Sequence, residues 1–284
     1  MIHPELSMLS VSSGRARVVL EKLAALTRQL LEPERFELVL VDNACPERVG
    51  DAVQRRDWPF AVRVVRTTLR ESAARARCLA LGCARAPIVW LCDDDCLPAP
   101  DAAQRHLAHQ RSGPSVVIGS LRFVTPTRRS WARARRADPL RVSGANTSLP
   151  RDAMRRACEA DVRLPRAYGG EDIVLGLQLQ EAGLSFVAAP EAAVDHLGPD
   201  PMHGAEPSKG YDAGYNAVAI ARRWPRAAWG LGVHPVQVAA KRLVLASPEA
   251  LLWRKLAPGR VRYERAYLDG SLQARRDMPQ EVRQ

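Results

Sequence analysis

Three consecutive carboxylates, Asp93, Asp94 and Asp95, follow an apolar run of Ile88, Val89, Trp90, Leu91 and Cys92. Acids this close repel one another, and the repulsion grows as they leave bulk water. At the tip of a buried strand they need a cation among them; otherwise they belong on a solvated turn. Hard divalent ions take carboxylate oxygens, and Mg2+ or Mn2+ usually shares its coordination with substrate phosphates. The triplet therefore points to a metal-bridged diphosphate, with a solvated acidic turn as the alternative.

A second candidate is YGGEDIVLGLQLQEAG, Tyr168 to Gly183, in which a glycine pair precedes Glu171 and Asp172. Acids in a first helical turn complement the macrodipole, which accounts for one acid but leaves the double glycine unexplained. Glycines beside an acid let a substrate approach the backbone, which marks Gly170 as part of an acceptor-binding surface. A carboxylate at that place can accept a proton from an incoming hydroxyl. The third candidate is His196 in AAVDHLG, at the end of a short strand; a lone histidine there is more often structural than a ligand. His106 and His109, three apart on a surface helix, carry no reading.

The elements that must position these residues alternate. β-rich pieces are expected at Met8–Val11, Phe36–Val41, Ala61–Val65, Ile88–Cys92 and Val116–Ile118, with helices at 18–31, 47–55, 72–84 and 101–111. Such alternation indicates βαβ units and a mainly parallel sheet, whose strand tips gather ligands. Asp42 ends one strand and Asp93–Asp95 another, so both face the same sheet edge. Beyond a basic stretch at 125–141, Arg141–Pro150 reads as strand and turn, and Arg151–Ala160 and Glu171–Ala182 as helices. Short strands follow at 184–188 and 192–195. GPDPMHGAEPSKGYDAGYN reads as a proline- and glycine-rich loop, followed by short basic helices at 217–224, 236–246 and 249–256 and a fraying last dozen residues. The division expected is 1–119 and 120–199 as two halves of one domain, and 200–284 as a loop and helical basic extension.

The chain has 284 residues, 46% hydrophobic and 26% charged, which are globular proportions. It holds no run of roughly 18 apolar residues, and its N-terminus lacks the pattern of a signal peptide. A soluble cytoplasmic protein is expected, in which the six cysteines, with no C-x-x-C pair, are reduced and mostly pack. The net charge is +11, and of the 42 basic residues only Lys22, Lys209, Lys241 and Lys255 are lysines. That balance suggests an anionic partner, although arginine richness beside so much alanine is equally what a biased genome composition yields.

Taken together, the chain resembles a family 2 glycosyltransferase of the GT-A fold, from about Ser7 to Gly198. The parts run in family order: VDN at Val41–Asn43, ESAARARCLALGCARAPIVWLCDDDCLPAPD, SGANTSLPRDAM, GGEDIVLGLQLQEAG, then the strand ending in His196. The resemblance implies an α/β fold with a Rossmann-like, mainly parallel sheet flanked by helices and a helical C-terminal extension. It implies Asp42 on the nucleobase, Arg75 near the nucleotide, and Asp93 on the ribose or metal with Asp94 beside it in the nucleotide-sugar pocket. It further implies Asp95 and His196 on a Mn2+ or Mg2+ ion, Asn146 lining the acceptor, Asp172 as general base and Glu171 supporting it. The implied reaction moves a sugar from a nucleoside-diphosphate sugar to a hydroxyl acceptor with inversion. The chain departs from the family pattern in SVSSGRAR, where a Pro-Thr turn is usual, in Ala76, where asparagine commonly stands, and in Val174, where many relatives carry an acid. Donor identity stays open.

Two other readings compete. A nucleotidyltransferase would carry a glycine-rich phosphate loop, which SSGRAR at Ser12–Arg17 imitates weakly, and would leave Glu171 and Asp172 idle. A nonenzymatic module for RNA or membranes would explain the charge and Arg128–Arg136, but acidic strand tips repel phosphates unless metal intervenes. No nucleic-acid partner is expected in that groove. The basic regions, including RRWPRAAWGLG at Arg222–Gly232, are assigned to an anionic acceptor or to peripheral contact with the inner membrane face.

Overall fold

A computed structural model of the chain describes residues 3–125, 129–132, 134, 136–198, 206–247 and 257–278, with the side chains of 129–132 excepted. The chain divides into two compact units: Met1–Asp161 with Leu175–Gly198, and Val162–Val174 with Pro199–Gln284. These boundaries cut across the expected halves, because the segment before the Glu171–Glu181 helix joins the C-terminal unit.

The first unit is built on one sheet. Its strands are β1 (Leu6–Ser12), β2 (Phe36–Asn43), β3 (Ala61–Thr67), β4 (Ile88–Leu91), β5 (Cys96–Pro98), β6 (Ser115–Val124), β7 (Arg129–Ala132), β8 (Thr147–Pro150) and β9 (Ser185–Leu197). The order is β3-β2-β1-β4-β8-β6-β9-β5, with β7 on β6. β3, β2, β1 and β4 run parallel, so the carboxyl ends of β1, β2 and β4 share one edge. β8 enters antiparallel to β4, and β9 then runs parallel to β6. The two short strands expected near 184–195 are a single strand, β9, whose register against β6 shifts between Gly119 and Ser120.

Helices α1 (Ala16–Leu26), α2 (Val49–Gln54), α3 (Ala73–Cys83), α4 (Ala102–Gln110), α5 (Arg151–Glu159) and α6 (Glu171–Glu181) stand close to their expected places. One buried cluster gathers Leu6, Met8, Leu38, Leu40 and Trp90 with Val19, Leu23 and Leu26 of α1. Another gathers Leu9, Val39, Val41, Val89 and Leu91 with Ala76 and Ala80 of α3. Alternating residues of each central strand thus supply opposite clusters, as expected for a sheet covered on both sides. α3 and α5 are joined by a disulfide, Cys78–Cys158, spanning 80 residues. This corrects the expectation that all cysteines are reduced. Cys45, Cys83, Cys92 and Cys96 are free thiols.

In the second unit α7 (Pro207–Arg223) and α9 (Pro258–Asp277) pair along their length, with α8 (Pro235–Ala246) between them in sequence. The glycines of PSKGYDAGYN were expected to break structure, yet they lie inside α7. A Cβ on Gly214 would stand 2.0 Å from the carbonyl oxygen of Tyr267, and one on Gly270 would stand 2.0 Å from that of Tyr211. These glycines serve close helix approach, a use that local sequence does not reveal. α9 was not expected at all, because its buried face is Leu268, Gly270, Ser271 and Ala274 rather than an aliphatic stripe. It also carries the expected fraying end as helix as far as Asp277. The helix expected at 249–256 lies outside the described residues, as do Arg128, Arg133 and Arg135 and the side chains of 129–132. Trp224 is buried and Trp229 is exposed. No helix among the described residues is long and apolar enough to cross a membrane.

Candidate active site

The acid triplet occupies a tight turn between β4 and β5, closed by a 3.0 Å hydrogen bond from Cys96 N–H to the Asp93 carbonyl. Each carboxylate has a different partner. Asp93 Oδ1 accepts from Arg77 Nη2 at 3.0 Å. Asp94 accepts from the Ser12 hydroxyl at 2.7 Å and from Arg15 Nη2 at 2.5 Å. Asp95 Oδ2 accepts from Arg15 Nη1 at 3.0 Å, while its Oδ1 faces His196 Nε2 at 3.6 Å. Beneath the turn the buried Lys22 donates to the carbonyls of Cys92 and Asp93 at 2.7 and 2.8 Å and to Ser10 Oγ at 2.7 Å. Three cations thus offset three acids. Burial still pushes the Asp94 carboxyl upward, against the pull of Ser12 and Arg15.

Strand register brings His196 here. β5 pairs antiparallel with β9, setting Cys96 opposite His196, and Leu197 N–H donates to the Asp95 carbonyl at 2.8 Å. Neither ring nitrogen is satisfied: 3.6 Å is too long for a hydrogen bond, and the buried Nδ1 has no hydrogen-bond partner. Ligand atoms of Asp95, Cys96 and His196 lie within 4.8 Å of one another. Hydrogen bonding to Cys92 and burial hold the Cys96 thiol protonated, so the usable donors are carboxylate and imidazole. Such a pair, with an unsatisfied imidazole, fits a divalent ion that completes its shell from substrate oxygens. Asp93, expected as a further ligand, lies outside this group and is turned to Arg77.

Several of the expected site residues have internal partners. Asp42 is wholly buried, and its oxygens accept from the amides of Cys45 and Gly50 at 3.1 and 3.0 Å. It caps the turn into α2 instead of presenting an open acceptor to a base. The Arg75 side chain is exposed, and it is Arg77, two residues on and buried, that reaches the triplet. One helical turn holds both arginines, and only packing selects between them. Gly144 lies over that guanidinium, where a Cβ would come within 1.8 Å of Arg77 Nη2. Asn146 is saturated. Its oxygen accepts from Trp90 Nε1 and His106 Nε2, and its amide donates to the carbonyls of Ser120 and Ala192. It ties the sheet from within and has no capacity left for an acceptor.

Glu171 and Asp172 open α6 in the segment that belongs to the second unit, both half-buried. Gly169 and Gly170 precede them at φ 82° and 105°, angles that favour glycine. A Cβ on Gly170 would also come within 2.8 Å of Ile220. Asn216 of α7, fully buried, clamps this loop. Its amide donates to the carbonyls of Arg166, Tyr168 and Gly169 at 3.1, 3.2 and 2.7 Å, and its oxygen accepts from Arg166 N–H at 3.0 Å. Arg15, Lys22, Arg77 and Asn216 were not singled out from the sequence. Lys22 and Asn216 do leave a signal, as polar residues at inward helical positions beside Leu23 and Ile220.

A mostly parallel α/β sheet carrying metal-competent acids on a strand tip, with an acid pair opening a later helix, matches the GT-A glycosyltransferase fold. The sequence model of glycosyl transferase family 2 matches residues 12–162, and the chain belongs to that family. Among solved structures it is similar to mannosyltransferase PcManGT from Pyrobaculum calidifontis in complex with GDP-Man and Mn2+, at 20% identity and a TM-score of 0.63, covering 95% of this chain and 87% of that one. It is also similar to S. aureus TarS 1-349 in complex with UDP-GlcNAc, at 15% identity and a TM-score of 0.61, covering 98% and 93%. At these identities the likeness is one of fold. No curated protein sequence matches the chain. Family membership sets aside the nucleotidyltransferase and the nonenzymatic binding module.

Proposed function

We propose that the chain is a metal-dependent, inverting glycosyltransferase that moves a sugar from a nucleoside-diphosphate donor to an acceptor hydroxyl. The observation that carries this is the Asp95–His196 pair beside a turn rich in paired charge: the buried His196 Nδ1 has no hydrogen-bond partner, and Asp95 Oδ1, 3.6 Å from Nε2, accepts only a weak bond from the Cys96 thiol. A divalent ion held by Asp95 and His196 would supply charge neutralisation for the departing diphosphate. Arg77, anchored by Asp93, adds a fixed positive charge next to the nucleotide and keeps Asp93 oriented toward the ribose. Asp172 takes the proton from the acceptor hydroxyl, and Glu171 and the Gly169–Gly170 backbone orient that acceptor. A single displacement at the anomeric carbon inverts its configuration. Mn2+ in one structural neighbour and nucleotide sugars in both support the donor class. The basic, partly apolar surface of the second unit, where Val236, Leu243 and Val244 of α8 are exposed, supports peripheral contact with anionic lipid. Vesicle cosedimentation at low salt tests that contact, and absence of retention would retire it.

The decisive experiment is a panel of UDP- and GDP-sugars with and without Mn2+ or Mg2+, read by thermal shift and by slow donor hydrolysis. One donor class should raise the melting temperature only with metal present. Asp95→Asn should abolish the metal dependence. Asp172→Asn should keep donor binding and lower transfer by about 100- to 10,000-fold. Loss of donor binding in Asp172→Asn would overturn its role as base.

A further inference from the structure

Arg15, the residue before α1, stands at φ 62° and ψ 49°, a left-handed conformation that side chains such as arginine seldom adopt. Glu47 holds it there, accepting from Arg15 N–H at 3.1 Å and from Ala16 N–H at 2.8 Å. This backbone sends the guanidinium across the acid triplet, 2.5 Å from Asp94 Oδ1 and 3.0 Å from Asp95 Oδ2. The other oxygen of Asp95 faces His196. One carboxylate is therefore divided between a cation belonging to the chain and the seat assigned above to a divalent ion. The Arg15 side chain is 52% exposed, against 6% for Asp94 and 13% for Asp95, which makes the arginine the member free to move.

We propose that Arg15 is an internal counter-ion of the metal seat: it neutralises Asp94 and Asp95 in the metal-free protein, opposes entry of the ion, and grips the donor diphosphate once the ion is bound. The inference rests on Asp95 and His196 being metal ligands. Its consequences run in opposite directions. Repulsion between a divalent ion and a unit charge about 6 Å away is worth roughly a factor of ten even with the screening of bulk water. Removing Arg15 therefore tightens binding of the bare ion. The same guanidinium makes charge-assisted, forked hydrogen bonds to phosphate oxygens, so its removal loosens a nucleoside diphosphate. A residue that merely held the site's shape would, when removed, weaken both.

The test is calorimetric titration of Mn2+ alone into the wild type, Arg15→Gly and Arg15→Gln, followed by UDP and GDP at saturating Mn2+. Glycine suits the backbone angle, so Arg15→Gly should fold, and its melting temperature without metal checks this. Both variants should bind Mn2+ about tenfold more tightly than the wild type and UDP or GDP about tenfold more weakly. Unchanged or weaker Mn2+ binding in the variants, with the wild type binding Mn2+, would overturn the inference and leave the glycosyltransferase reading standing. Failure of all three proteins to bind Mn2+ would remove the metal seat and the inference together. Unfolding of both variants would make Arg15 a structural staple and also overturn it.

Discussion

His106 sits in the first unit with no exposed surface, between Ser148 Oγ at 2.9 Å from Nδ1 and Asn146 Oδ1 at 2.8 Å from Nε2. Because the Asn146 amide already donates to two carbonyls, its oxygen must accept, so His106 Nε2 carries the proton and Nδ1 accepts from Ser148. The ring is neutral. Burial is the main cause that lowers its pKa from 6.5 to about 4. The unfolded chain takes up this proton as pH falls through 6.5, whereas the native protein refuses it until pH 4. Stability from this residue is complete above pH 6.5 and drains away between pH 6.5 and 4. A shift of that size corresponds to about 3 kcal/mol. Urea unfolding at pH 7.0, 6.0, 5.0 and 4.5 would measure it, using the fluorescence of Trp90, whose ring lies 4.7 Å from His106. His106→Gln should be less stable than the wild type at pH 7 yet lose roughly 2–3 kcal/mol less on acidification to pH 4.5. Parallel pH profiles for the two proteins would refute the neutral, buried histidine and the tautomer assigned from Asn146.

Two further outcomes are expected. Asn216→Ala removes the clamp on the loop before Glu171 and Asp172, costing about 2–3 kcal/mol of stability; kcat should fall while nucleotide affinity is unchanged, and an equal loss in both would place Asn216 outside acceptor chemistry. Reducing Cys78–Cys158 or replacing both cysteines with serine should lower stability by roughly 4 kcal/mol, from the closure of its long loop; identical urea midpoints with and without reductant would show that the bridge does not form in solution.

The periodicity of the first 120 residues was enough for the α/β alternation, because short β-rich apolar pieces alternate there with longer helix-like ones. It was also enough for the two acidic strand tips, since parallel strands must present their carboxyl ends together. The chemical types of Asp95, His196, Glu171 and Asp172 were legible too, as residues that break the apolar pattern at element boundaries. Tertiary structure alone decided which neighbour reaches the site. Arg77 and Arg75 differ by two positions on one helix, and packing under Gly144 selects the first. His196 meets Asp95 through a pairing register between strands about 100 residues apart. Asp42 and Asn146 look like open polar residues in the sequence, yet both are spent on internal hydrogen bonds. The first half of α7, before the helix expected from Ala217, and the whole of α9 were hidden because their contact is made through glycine and alanine, and small residues announce a close helix approach only when the partner backbone is present.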